Sequence, residues 1–171
     1  MRPHLLFGVL ATASAVAATA SSELRFNHKS VYKLQGSYPG LHQSRRRDGG
    51  ERNVVTIAAS RNDTDDVSQS FLAAVREANN GGTLYLKPNE TYIIGQKLDL
   101  TFLDDFEMIL DGELKFTDDI DYWQANNFYY DFQKSITFWK WGGRDIRISG
   151  NGVMNGNGQE WYDNFAGAEI L

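Results

Sequence analysis

The sequence contains no cysteine. A disulfide framework, a thiolate nucleophile and a cysteine-ligated zinc site are excluded on that ground. Histidine is almost as scarce: His4, His28 and His42 all lie near the start of the chain. None is placed for catalysis or beside other metal-ligand types, so neither a metal nor a cofactor is expected. Beyond the first twenty residues there is no apolar run long enough to span a bilayer, which takes about 20 residues. Positive charge is not in excess. Lys and Arg total 17 against 22 Asp and Glu, a net charge of -5 at pH 7. That argues against nucleic acid as the main partner, although a local basic groove could still hold an acidic polymer.

What is present points to a globular chain. Hydrophobic residues make up 42% and charged residues 23% of 171 residues, which suits one domain. Residues 1–20 read as a secretory signal: Arg2 and His4 in a polar start, an apolar run over 5–18, and Ala18-Thr19-Ala20 as a cleavage site. Secretion is therefore expected, and no membrane association. Residues 21–52 are polar and read as a mobile leader. Within it, Arg45-Arg46-Arg47 is either a site for a dibasic protease or a solvated basic turn.

From residue 53 the pattern changes. Val54-Val55-Thr56-Ile57 reads as a strand. Val67, Phe71, Ala74, Val75 and Ala78 then recur at helical spacing. Asp66 can cap that helix, with Gln69 completing a capping box, and Asn79-Asn80-Gly81-Gly82 ends it. Strands follow in series: Thr83-Leu84-Tyr85-Leu86, Thr91-Tyr92-Ile93-Ile94, Glu107-Met108-Ile109-Leu110, Glu113-Leu114-Lys115-Phe116 and Ile136-Thr137-Phe138-Trp139. In 144–149, Asp145, Arg147 and Ser149 alternate with Ile146 and Ile148, the period of a half-buried strand. Gly150-Asn151-Gly152 and Asn155-Gly156-Asn157-Gly158 are corners on either side of Val153 and Met154. Strand, corner, short strand, corner is the unit of a parallel β-solenoid. Leu84 to Met108 is a step of 24 residues and Met108 to Ile146 one of 38, so residues 118–134 are an insertion. A lone helix before such a series is expected to cover the exposed end of its core. No helix pattern interrupts the series, and a doubly wound α/β fold is not expected.

The insertion is rich in aromatics. Trp123, Tyr129 and Tyr130 are candidates for substrate contact, or for a wall beside a cleft, because aromatic planes stack on the C–H faces of sugars; ordinary packing is the alternative. Trp139 and Trp161 read as packing residues. The adjacent carboxylates Asp65-Asp66, Asp104-Asp105 and Asp118-Asp119 are not expected to be a catalytic pair, since neighbouring strand residues point to opposite faces. Asn62-Asp63-Thr64 and Asn89-Glu90-Thr91 are sequons, making Asn62 and Asn89 candidate N-glycosylation sites.

Several of these segments resemble the N-terminal part of the fungal enzymes of glycoside hydrolase family 28. They are 63–78, the run from Gly81 to Pro88 with Thr91-Tyr92, Asp111-Gly112-Glu113-Leu114-Lys115-Phe116, and 150–159 with Trp161. The insertion that starts at Phe116-Thr117-Asp118-Asp119-Ile120-Asp121-Tyr122-Trp123 is similar to the exo-acting branch. The resemblance implies an all-β fold: the first rungs of a right-handed parallel β-helix over 53–171, with an N-terminal capping helix. It implies a secreted exopolygalacturonase that hydrolyses galacturonan by inversion, its partner a pectic polysaccharide, monomeric when complete. Another exo-hydrolase of the family, acting on rhamnogalacturonan or xylogalacturonan, and a non-catalytic pectin-binding module stay open. The family's catalytic motifs lie later in the fold than the segments matched here. Arg147-Ile148 is followed by Ser149 rather than lysine, and no histidine lies beyond His42. No catalytic residue is carried over, and the chain is expected to be an inactive N-terminal fragment.

Overall fold

Val55, Leu84, Met108 and Ile148 stand beside one another across four parallel strands. The computed structural model of the protein describes residues 31–34, 41 and 44–165. The secretory signal expected over 1–20 lies outside the described residues. The strands of this row are β2 (Asn53–Ile57), β3 (Gly82–Leu86), β5 (Leu98–Leu110) and β9 (Trp139–Ser149). Strand β1 (Val31–Leu34) closes one side of the sheet, antiparallel to β2. A second parallel sheet runs in the order β10 (Val153–Asn155), β6 (Glu113–Phe116), β4 (Thr91–Ile94), and places Tyr92, Leu114 and Met154 in register. The protein is thus mostly strand, with parallel sheets and few helices.

Tight corners join the two sheets. Leu110 O accepts from Gly152 N at 2.8 Å, and Leu86 O accepts from Asp111 N at 2.9 Å. Gly150 has φ +125 and Gly152 lies so close to the corner beside it that an added Cβ would meet Gly112 O at 2.0 Å. Only glycine fits where backbones approach this closely. A bend just before β3 is likewise repeated within β5 and β9. Gly81, Asp105 and Asp145 occupy equivalent positions in successive units, and all have positive φ, at 101, 47 and 52. Glycine and aspartate are residue types that enter the left-handed region readily.

Inward-pointing residues of both sheets form the core, with Leu84, Leu86, Tyr92, Met108 and Leu114 all fully buried. Each contributes roughly 1.5–3 kcal/mol of apolar burial. Helix α1 (Ser68–Ala78) lays Phe71, Ala74, Val75 and Ala78 on this core. Its start differs from the capping box expected. Val67 takes the cap position, while the Asp66 carboxylate accepts from Ser68 N at 2.8 Å and Gly95 N at 3.0 Å. Gln69 bonds Gln96 instead of turning back. Asp66 therefore fastens the helix to the connection after β4.

The register corrects the spacing read from the sequence: Met108 pairs with Ile148, not Ile146. The sheet row is also longer than expected, because Leu98 and Leu100 are buried and alternate with exposed Asp99 and Thr101. The insertion is partly helical. Helix α2 (Ile120–Ala125) is capped by Asp119, whose side chain accepts from Tyr122 N at 3.0 Å. A second short helix, α3 (Gln159–Phe165), follows β10.

The polar segment before β2 was expected to be mobile, yet its described parts are tied to the sheet. Val31–Leu34 forms β1. Ser44 N donates to Glu107 at 2.8 Å and Arg47 N to Asp105 at 3.0 Å. The Arg47 guanidinium bridges Asp104 and Asp145, both at 2.9 Å. Residues 44–52 thus form a strap whose partners are far away in sequence.

At the opposite side, Ile148, Val153 and Met154 are 45%, 56% and 46% exposed. The in-register neighbours of Ile148 and Met154, Met108 and Leu114, are fully buried, whereas Val153 stands beside half-buried Glu113. Strands β9 and β10 are the outermost in their sheets.

Candidate functional site

Strands β7 (Phe128–Tyr130) and β8 (Ser135–Thr137) make a small antiparallel hairpin from the second half of the insertion. The Asp131-to-Lys134 connection closes it, with Lys134 at φ 49 and paired to Asp131 at 2.6 Å. The hairpin stands beside the starts of β5 and β9. Lys97 lies just before β5 and Lys140 lies within β9. Lys140 Nζ is 4.3 Å from the Phe128 ring centroid and 5.8 Å from that of Tyr130; Lys97 Nζ is 5.3 Å from that of Phe128. Lys97 Nζ also donates to Asn127 O at 3.5 Å.

Strand pleat separates two of the expected contact residues. Phe128 and Tyr130 point to one face of β7, and Tyr129 to the other. Tyr129 is 50% exposed, and Tyr130 is half-buried. Trp123 is in neither position. It is fully buried, stacked on Phe138 at 4.1 Å and edge-on to Phe116 at 6.0 Å. Its indole N–H donates to Thr117 O at 2.9 Å. Trp123 therefore supports the insertion from below. Trp139 is in the core against Phe71 and Phe116, as its packing role required, and Trp161 leans on Phe138 at 6.0 Å. Sequence reasoning missed Phe128, Lys97 and Lys140. The i, i+2 relation of Phe128 to Tyr130 was a usable signal; the lysines come together only through the fold.

The acidic pairs have structural partners. Asp65 accepts from Arg61 Nε at 2.8 Å, and the Arg61 side chain and N–H hold its carboxyl down at about 2. Asp104 is lowered by the Arg144 and Arg47 guanidinium groups. Burial pushes Asp105 up, but the Arg47 N–H and the Arg52 guanidinium outweigh it, and its carboxyl sits below the usual range. Asp119 caps α2. Arg52 is inserted beneath Asp105, with its Nη1 donating to Gly82 O and Asp105 O, both at 3.0 Å. Glu107 is buried and accepts from the Thr83 hydroxyl at 2.7 Å. Among the described residues no group of three or more His, Cys, Asp or Glu is placed to hold a metal ion.

The two sequons sit on the surface. Asn62 is exposed, its Oδ1 accepting from Thr64 N at 3.0 Å and the Thr64 hydroxyl at 2.8 Å. Asn89 is exposed at φ 60 in the connection between β3 and β4.

Comparison with known proteins gives close relatives. The chain is 65% identical over 132 residues to a probable exopolygalacturonase B of Aspergillus flavus, covering 77% of this chain and 30% of that protein. It is 54% identical over 168 residues to a probable exopolygalacturonase B of Emericella nidulans, covering 92% of this chain and 38% of that protein. It is 67% identical over 121 residues to the exopolygalacturonase B of Aspergillus niger, covering 71% of this chain and 28% of that protein. The chain thus spans about a third of the length of the curated relatives it matches. No protein-family model matches the chain, and no solved structure does. At this identity over most of its length, the chain belongs to the polygalacturonase family, glycoside hydrolase family 28.

Proposed function

We propose that this chain forms the first rungs of a right-handed parallel β-helix in a secreted exopolygalacturonase, which hydrolyses α-1,4-linked galacturonan by inversion. The relatives' names support the activity. Two parallel sheets joined by repeated corners support the helix. The exposed Ile148 and Met154 of β9 and β10 support further rungs: their matching positions in earlier units, Met108 and Leu84, and Leu114 and Tyr92, are covered. Asn62 and Asn89 carry N-glycans in this reading, on exposed connections.

The hairpin is the chain's contribution to substrate binding, and the observation that carries this is the half-buried Tyr130 ring beside Lys140. Tyr130 stacks on a sugar ring. Trp123 supports the hairpin from beneath through Phe138, and Tyr129 lies on its other face. No catalytic pair is assigned among the adjacent carboxylates, because Asp104 and Asp105 are engaged by arginine and Asp119 caps a helix. That engagement also favours a second reading, a pectin-binding module without turnover.

Tyr130→Ala is expected to weaken binding of an oligogalacturonate about fivefold, the loss of roughly 1 kcal/mol of ring stacking. Titration of the chain, tethered at low density to a sensor surface, measures it. Unchanged affinity would remove Tyr130 from the site.

A further inference from the structure

We infer that Lys97 and Lys140 form a carboxylate-reading subsite that selects ionised uronate units over their methyl esters; this rests on the hairpin being a sugar-binding site. Lys87, Lys115 and Lys134 each pair with an acid. Among the described residues neither Lys97 nor Lys140 has a carboxylate at ion-pair distance. The acid nearest in register to Lys140 is Asp99, across the β5–β9 ladder. Asp99 Oδ1 already accepts from Thr101 N at 3.1 Å and the Thr101 hydroxyl at 2.6 Å. Those bonds come first in keeping Asp99 ionised, with the charge of Lys140 a lesser cause.

Both ammonium groups are instead held over the Phe128 ring. An aromatic face attracts a cation and fixes its side chain but does not neutralise it. Two positive charges are therefore held on one ring, next to a second ring that can stack on a pyranose. A neutral sugar would use the stacking and leave the charge idle. A uronate uses both, because its ring carries the carboxylate that an ammonium donates to. The overall charge of -5 makes such a local positive spot more notable for an acidic polymer, which the rest of the surface repels.

The test compares an oligogalacturonate with its fully methyl-esterified form on the tethered full chain, at low and high salt. The expected wild-type result is tighter binding of the acid form, with the difference shrinking as salt screens it. Lys97→Gln and Lys140→Gln are each expected to weaken the acid form about threefold to fivefold, in the range of partly exposed charge pairs, and to leave the ester unchanged. Tyr130→Ala should weaken both forms. Circular dichroism melts check that the glutamine variants stay folded, as exposed or half-exposed sites should. Equal wild-type binding of acid and ester, or lysine variants that bind the acid form as wild type does, would overturn the inference and leave the hairpin site standing. No binding of either form would overturn both.

Discussion

Arg52→Ala is expected to lower folding stability by about 3–5 kcal/mol, the cost of leaving buried charge without its partner. The Arg52 side chain is 2% exposed, and those of Asp105 and Glu107 are 8% and 4% exposed. Arg52 pairs directly with Asp105, and its Nε lies 3.8 Å from Glu107. It also donates to two backbone oxygens at the stacked corner. Removing it leaves two buried carboxylates without their cation, held by the Arg47 and Ser44 N–H groups and the Thr83 hydroxyl. Acid should reproduce part of the loss. The Asp105 carboxyl is held below its unfolded value, so its contribution is full above about pH 4 and falls as pH drops through the folded value. Urea unfolding of wild type and variant at neutral and acid pH measures both effects. The gap between them should narrow on acidification. A neutral-pH loss below about 1 kcal/mol would mean that the strap and corner are held by something other than this ion pair.

Trp123→Ala is expected to cost about 3–5 kcal/mol as well, through the cavity left by a large buried ring. The neighbours of that cavity are Phe116, Phe138 and Tyr122. Phe138 directly follows β8, so the hairpin would lose its support. Binding of oligogalacturonate should fall together with the melting temperature. If the melting temperature held while binding fell, Trp123 would be a contact rather than a support.

The strands and corners were legible because each signal is local. Alternation at Ile146 and Ile148, and glycine or asparagine at each corner, depend only on neighbours in sequence. The row from Leu98 to Leu100 alternates in the same way, a local signal that the strand expected over 107–110 left out. The strap was not. The residues of Arg45-Arg46-Arg47 look solvated until Asp104 and Asp145 are brought to Arg47 across 57 and 98 residues. Antiparallel pairing of β1 with β2 is likewise set by partners that no local pattern names. In the candidate site, the aromatics were visible as residue types. Alternation should also have put Tyr129 and Tyr130 on opposite faces. The burial of Trp123 depended on Phe116 and Phe138, which only packing joins to it.

A dibasic protease would have to free Arg47 from Asp104, Asp105 and Asp145 before cutting beside it. The geometry matches neither an open cleavage site nor a solvated turn at Arg47, which is anchored to three acids.

The most direct measurement is reducing-end release from polygalacturonate by the purified chain, run beside the binding titration. The account predicts binding with no release above a buffer control, since the proposed sugar-holding hairpin is here while Asp104 and Asp105 are engaged by arginine and Asp119 caps a helix. Release above the control would contradict it, and would place a working acid and base within this chain.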